Sequence, residues 1–284
     1  MLAVYSVIIL FATAAGATCG MGGGVIIKPL LDALSPYTSF QINLISALCV
    51  FCMAASSLVK HFASKRKSLL IIAVAASLGA LVGGVCGEFI FDAVTSAARS
   101  GLGASADMQI KIIQNAVLAL LLVLVLIYML LREKKGSSAQ PLTVTAGNFV
   151  KVFAACCALG LISTFLGIGG GPINVCVLCI VLRAGTKDVT VYSLLTVFFA
   201  QAAKFIKLAA TGGFTENIVF DVNLTWWALV VMAVVAVAGG LIGACANKKM
   251  PAKTVSVVYY AVIGLVIALN IYNIIINAIK IVNL

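Results

Sequence analysis

A chain of 284 residues that is 63% hydrophobic and only 10% charged, with a mean hydropathy of +1.20, is not a soluble domain. Soluble domains carry about 25% charged residues, and this much apolar surface needs the bilayer as its solvent. The formal net charge of +11 does not point to nucleic acid. The basic residues fall mostly in short loops between apolar runs, and no basic stripe interleaves with aromatics.

A spanning helix needs roughly 20 apolar residues. In chain order, apolar runs cover about 3–17, 25–34, 40–59, 68–90, 109–131, 149–166, 172–182, 189–211, 224–246 and 254–279. These read as six clear spans plus two pairs of shorter runs, each pair broken only by glycines. The opening run has no basic leader segment, and the residues just after it reappear in the second half. It is therefore read as a structural helix and not as a secretory signal.

The breaks are CGMGGG at 19–24 and LGIGGG at 166–171. Gly20-Met21-Gly22-Gly23-Gly24 matches Gly167-Ile168-Gly169-Gly170-Gly171, an internal repeat. LGALVGG at 78–84 resembles AGGLIGA at 238–244, read as small-residue packing motifs late in a helix. The expected fold is all-α and polytopic. It has two inverted repeats, each a glycine-broken helix hairpin plus three spanning helices. The first repeat covers 1–135, a cytoplasmic linker 136–147 and the second repeat 148–284.

Orientation follows from the lysines and arginines. The groups Lys60, Lys65, Arg66 and Lys67; Arg132, Lys134 and Lys135; and Lys248, Lys249 and Lys253 are expected in the cytoplasm. The loop with Asp92, Arg99 and Asp107 and the loop with Glu216 and Asp221 are expected outside. These assignments agree if each glycine-broken pair enters and leaves on one side. The first pair then enters from outside and the second from inside, with Arg183 and Lys187 at its exit. The halves are antiparallel, and both termini lie outside a cell inner membrane.

An irregular turn at membrane depth must line protein or a cavity, because unpaired backbone groups are costly in hydrocarbon. Glycine allows positive φ and close backbone approach, and Pro172 suits a first helical position. Two helix N-termini near the midplane would favour an anion. The candidate binding residues are Gly22, Gly23, Gly24, Gly169, Gly170 and Gly171 with Asn174, Gln201 and Lys204. Lys204 is read as an anion attractor or a strained snorkel, and Lys207, nearer its helix end, as a snorkel. Lys28 is read as an ion-pair partner of Asp32 near the outer surface, Asn43 and Ser46 as weaker site candidates, and Glu88 near an outer helix end as an interfacial residue first and a proton carrier second.

The nine cysteines lie inside apolar runs, which is no disulfide framework. Cys49/Cys52 and Cys176/Cys179 have CxxC spacing and read first as small hydrophobes. The lone histidine, His61, belongs to a basic loop, and no metal cluster or nucleophile–base pair stands out. No catalytic residue, metal or cofactor is therefore assigned. A membrane thiol oxidoreductase and a passive anion channel are the rival readings.

The paired motifs resemble the TauE/SafE family of sulfite-exporter-like permeases, which carries a GxGGG-type motif early in each of two membrane repeats. The likeness covers essentially the whole chain. Pro29 lies five residues after the first triplet, but Cys176 holds the equivalent place in the second half, which instead has Pro172 directly after its triplet. The two turns are therefore expected to differ in shape. The resemblance implies a transporter, not an enzyme, for sulfite, a sulfonate or a related anion; a coupling proton or ion and the oligomeric state are left open.

Overall fold

The computed structural model describes residues 2–35, 37–63, 70–102, 106–134, 146–211 and 226–282. They form ten helices: α1 Leu2–Cys19, α2 Gly24–Leu34, α3 Ser39–Ala63, α4 Leu70–Leu102, α5 Ala106–Lys134, α6 Ala146–Leu166, α7 Gly171–Val181, α8 Thr186–Ala210, α9 Trp226–Lys249 and α10 Ala252–Val282. No strand occurs among the described residues. Most of the expected cytoplasmic linker 136–147, together with Lys65, Arg66, Lys67, Lys135, Glu216 and Asp221, lies outside the described residues.

Eight helices are long and apolar enough to cross a membrane, so the chain is a multi-pass membrane protein. This exceeds the six clear spans read from the sequence. The first arms of the glycine-broken pairs, Leu2–Cys19 and Phe149–Leu166, are each 18 residues long, about 27 Å at 1.5 Å per residue. The second arms, α2 and α7, have 11 residues, about 16 Å. The first arm was underrated because its helix continues through Thr18 and Cys19, beyond the apolar run.

Both first arms stop in the same way. Gly20 and Gly167 take positive φ, +73° and +67°. The next amide turns back onto the helix, Met21 N–H to the Gly16 carbonyl (2.8 Å) and Ile168 N–H to the Ser163 carbonyl (3.2 Å). This is the Schellman termination, which satisfies carbonyls that a helix end leaves unpaired. The chain then doubles back. Tyr5 at the start of α1 donates to the Leu34 carbonyl at the end of α2 (3.4 Å), and its ring lies 6.0 Å from that of Tyr37. The two ends of the first hairpin are therefore neighbours.

The tightest packing joins helices that are far apart in the chain. Gly79, Gly83 and Gly87 lay α4 against Phe153, Cys157 and Leu161 of α6, with the two helices running in the same sense. Gly239 and Gly243 do the same for α9 against Leu10 and Ala14 of α1. Without a hydrophobic drive between helices in lipid, such close backbone approach supplies the packing energy. Gly84 beside Ala200 corresponds to Gly240 beside Met53. The equivalence is thus Gly83–Gly84 with Gly239–Gly240, one helical turn away from the alignment read from the sequence. The first motif also lies early in α4, not late. Six residues separate α3 from α4 and fifteen separate α8 from α9, which shifts the register.

Candidate functional site

The two glycine turns touch. A Cβ built on Gly22 would stand 3.2 Å from the Gly169 carbonyl oxygen, and one on Gly24 would stand 2.5 Å from that of Ile168. The neighbours repeat with a constant spacing of 147 positions. Gly20 abuts Thr190 and Gly167 abuts Asn43; Gly22 abuts Val197 and Gly169 abuts Val50. A two-fold relation between the turns accounts for every one of these pairs.

The turns diverge at their third glycine. Gly22 and Gly169 both sit at φ +70°. Gly23 is helical, with φ −66°, whereas Gly170 has φ +87°. Of the two uses of glycine, Gly23 serves the second: its lack of a side chain allows close approach to Ala12 and Thr13 of α1. Gly171 is also left-handed, with φ +44°. Neither α2 nor α7 has a side-chain cap on its N-terminus, and Pro172 sits in the first turn of α7.

Polar side chains break the two-fold relation. Asn43 and Ser46 of α3, Asn174 of α7 and Gln201 of α8 are all buried. Both amide atoms of Asn43 and Asn174, the Ser46 hydroxyl and the Gln201 amide nitrogen have no hydrogen-bond partner. Asn43 lies against Gly167, Gln201 against Gly169, Asn174 against Gly170, and Ser46 against Gly24 where that residue meets Ile168. All four therefore surround the second turn. Around the first turn no counterpart is left unpaired: Ser193 donates to the Gly20 carbonyl (2.6 Å), Thr190 to the Thr186 carbonyl (3.0 Å), and apolar Ile27 and Ala54 stand where Asn174 and Gln201 do. Leaving a buried polar group unpaired costs about 1–3 kcal/mol, so a cluster of them on one side asks for a ligand.

Lys204 is 7% exposed and does not snorkel. Its ammonium lies 3.5 Å from Glu88 Oε1 and 6.0 Å from the Phe91 ring centroid. Glu88 is correspondingly buried in mid-α4 and is not at a helix end. Lys207 reaches the exposed end of this interface, contacting Asp92 and the Glu88 carbonyl. Sequence reading missed the Lys204–Glu88 pair because its members lie on helices with no local relation.

Lys28, 1% exposed, is not near a surface. It donates to Gln114 Oε1 and to the Leu166 carbonyl, both at 2.6 Å. Asp32 lies 3.9 Å from Lys111. His61 is buried in the last turn of α3, not in a loop. All nine cysteines are free, and Cys49, Cys176 and Cys179 are buried within helices. Among the described residues no group of three or more His, Cys, Asp or Glu side chains could hold a metal.

The family model described as Sulfite exporter TauE/SafE matches residues 5–271, and the chain belongs to that family. No curated protein and no solved structure matches the chain.

Proposed function

We propose that this TauE/SafE chain carries sulfite or a small organosulfonate across a cell inner membrane by alternating access. One observation carries the reading. Four buried, unpartnered polar side chains, Asn43, Ser46, Asn174 and Gln201, surround a glycine turn that opens a helix N-terminus. Amide N–H groups and a hydroxyl donate to the oxygens of a sulfur oxyanion. The uncapped first turn of α7 adds free backbone donors and a positive dipole end. The anion binds at the second turn, with Gly169, Gly170 and Gly171 allowing its approach. Gly22, Gly23 and Gly24 of the first turn buttress this site from behind.

The halves 1–135 and 148–284 are read as inverted. Six residues reach at most about 25 Å, less than the roughly 37 Å length of α3, so α4 runs back against α3. Gly84, Glu88 and Asp92 of α4 meet Ala200, Lys204 and Lys207 of α8 in the same order, so those two helices run together. This supports α8 running opposite to its counterpart α3, as an inverted repeat requires.

The test is flux into liposomes holding the purified protein. Saturable uptake of sulfite or methanesulfonate, accelerated by the same anion on the far side, is expected. Flux of an organic cation with no flux of either anion overturns the reading, and non-saturable anion flux replaces a carrier with a channel.

A further inference from the structure

We infer that Glu88 is a proton-binding counterion to Lys204, so that this protein takes up one proton with each monovalent anion it binds. The inference rests on the anion site proposed above. Lys204 lies one helical turn beyond Gln201 on α8, a spacing that puts both on one face, and Gln201 stands against Gly169 of the second turn. The lysine thus borders the site while its charge is already matched by Glu88 at 3.5 Å.

Charge conservation in a dry site drives the argument. The buried pair is neutral overall. A bound anion would leave the site one charge negative, and an uncompensated buried charge is strongly disfavoured. A proton on the Glu88 carboxylate restores neutrality and releases Lys204 to the anion. One O–H bond of hydronium breaks, leaving water, as one O–H bond forms on the Glu88 carboxyl group.

The surroundings fit this role. The groups facing Glu88 are Lys204 and Lys207 on α8, Asp92 one turn along α4, and the Thr164 hydroxyl of α6 beside Gly87. Beyond Phe91 lies a small apolar cavity shared with Phe165 and with Ile110 and Ile113 of α5, and the nearby Gln114 amide is already bonded to Lys28 and to the Phe165 carbonyl. Asp92 is 57% exposed and shares Lys207 with the Glu88 backbone carbonyl. It therefore marks the watered end of the interface whose buried end holds the Glu88 carboxylate. At the equivalent interface between α3 and α9 the buried charge pair is missing: Ser57 and Ala244 stand where Lys204 and Glu88 do, and Ser56 and Ser57 donate there to the Val237 and Gly240 carbonyls. Proton uptake therefore belongs to one of the two equivalent interfaces.

The experiment counts protons. Full-length protein in weakly buffered detergent is titrated with methanesulfonate, which stays ionised near neutral pH, while an indicator dye follows proton uptake. About one proton per anion is expected, with affinity weakening about tenfold per pH unit as pH rises through the uptake range. Glu88→Gln should bind methanesulfonate with no proton uptake and no pH dependence, and Lys204→Met should weaken binding at least about tenfold. If Glu88→Gln does not fold, Glu88→Gln/Lys204→Met leaves no unpaired charge, and its residual binding must be independent of pH. Wild-type binding without proton uptake, or normal uptake by Glu88→Gln, overturns the inference and leaves the anion site standing. Absence of binding by both methanesulfonate and sulfite instead removes the site proposed above, and the inference with it.

Discussion

The Lys28 ammonium lies 2.6 Å from the carbonyl oxygen of Leu166, the residue at which α6 gives way to the second glycine turn. A helix C-terminus carries partial negative charge, and in carriers with broken helices such ends coordinate coupling cations. Here a lysine from the opposite half supplies the positive charge. Transport is therefore expected to proceed unchanged when sodium is replaced by choline. Lys28→Met should cost about 1.5–3 kcal/mol, the range for hydrogen bonds to charged groups, read as a lower melting temperature in detergent. A sodium requirement, or an unaltered melting temperature, contradicts this.

The two serines at equivalent positions should separate site from scaffold. Ser46 has an unpaired hydroxyl, and Ser193 is bonded to the Gly20 carbonyl. Ser46→Ala should weaken anion binding while leaving stability nearly intact, and Ser193→Ala should do the reverse. Asn174→Ala and Gln201→Ala should each weaken binding by roughly 5- to 150-fold, corresponding to about 1–3 kcal/mol. Affinity and melting temperature measured side by side decide the matter.

Glycine replacements give a second comparison. Gly170→Val forces a β-branched residue to φ +87° and drives its side chain into Asn174. Binding should vanish while membrane insertion persists. Gly83→Val instead meets the Cys157 carbonyl, and Gly23→Val the backbone of Ala12 and Thr13. Both should lower stability by about 1–3 kcal/mol through overpacking, with affinity retained in the folded fraction. Normal binding by folded Gly170→Val would place the site elsewhere.

A variant with all nine cysteines changed to alanine or serine should keep transporting. The CxxC cysteines Cys49, Cys176 and Cys179 are buried in helix packing, and Cys49 faces the Met232 carbonyl. Loss of flux in a variant that still folds would bring back a thiol-based reading.

Topology is open to a direct test. Reporters fused at Leu284 and directly after Ala63 should report the outside and the cytoplasm respectively, following the positions of Lys60 and of Lys248 and Lys249. The opposite pattern reverses the assigned orientation.

The glycine turns and their repetition were legible because a GxGGG pair interrupting apolar runs has few physical explanations. Asn174 and Gln201 could be picked out as polar residues close in sequence to a turn or on a deep helix. Asn43 and Ser46, read as weaker candidates, lie in the same cluster of buried unpartnered polar groups, yet they reach it from α3 across the two-fold relation, which no local pattern reveals. The Lys204–Glu88 pair was hidden for the same reason. What Gly23 does was not legible because glycine marks both positive φ and close approach, and only the backbone tells the two apart. The packing glycines were aligned one turn off because the unequal segments before α4 and α9 disturb the register.

The closeness of α1 to α9 also sets a problem of timing. Thr18 donates to the Gly243 carbonyl and receives the Asn247 amide at 2.6 Å, so the polar end of α1 is satisfied by residues more than 220 positions later. Synthesis proceeds at about 5–20 residues per second, which leaves α1 waiting roughly 10–50 s for its partner. During that interval its small-residue face, from Leu10 to Thr18, has only lipid, the insertion machinery or the helices already made as company. A ribosome paused before α9 emerges would hold a chain whose first helix is inserted but undocked. The native assembly closes only when the last quarter of the protein has been made.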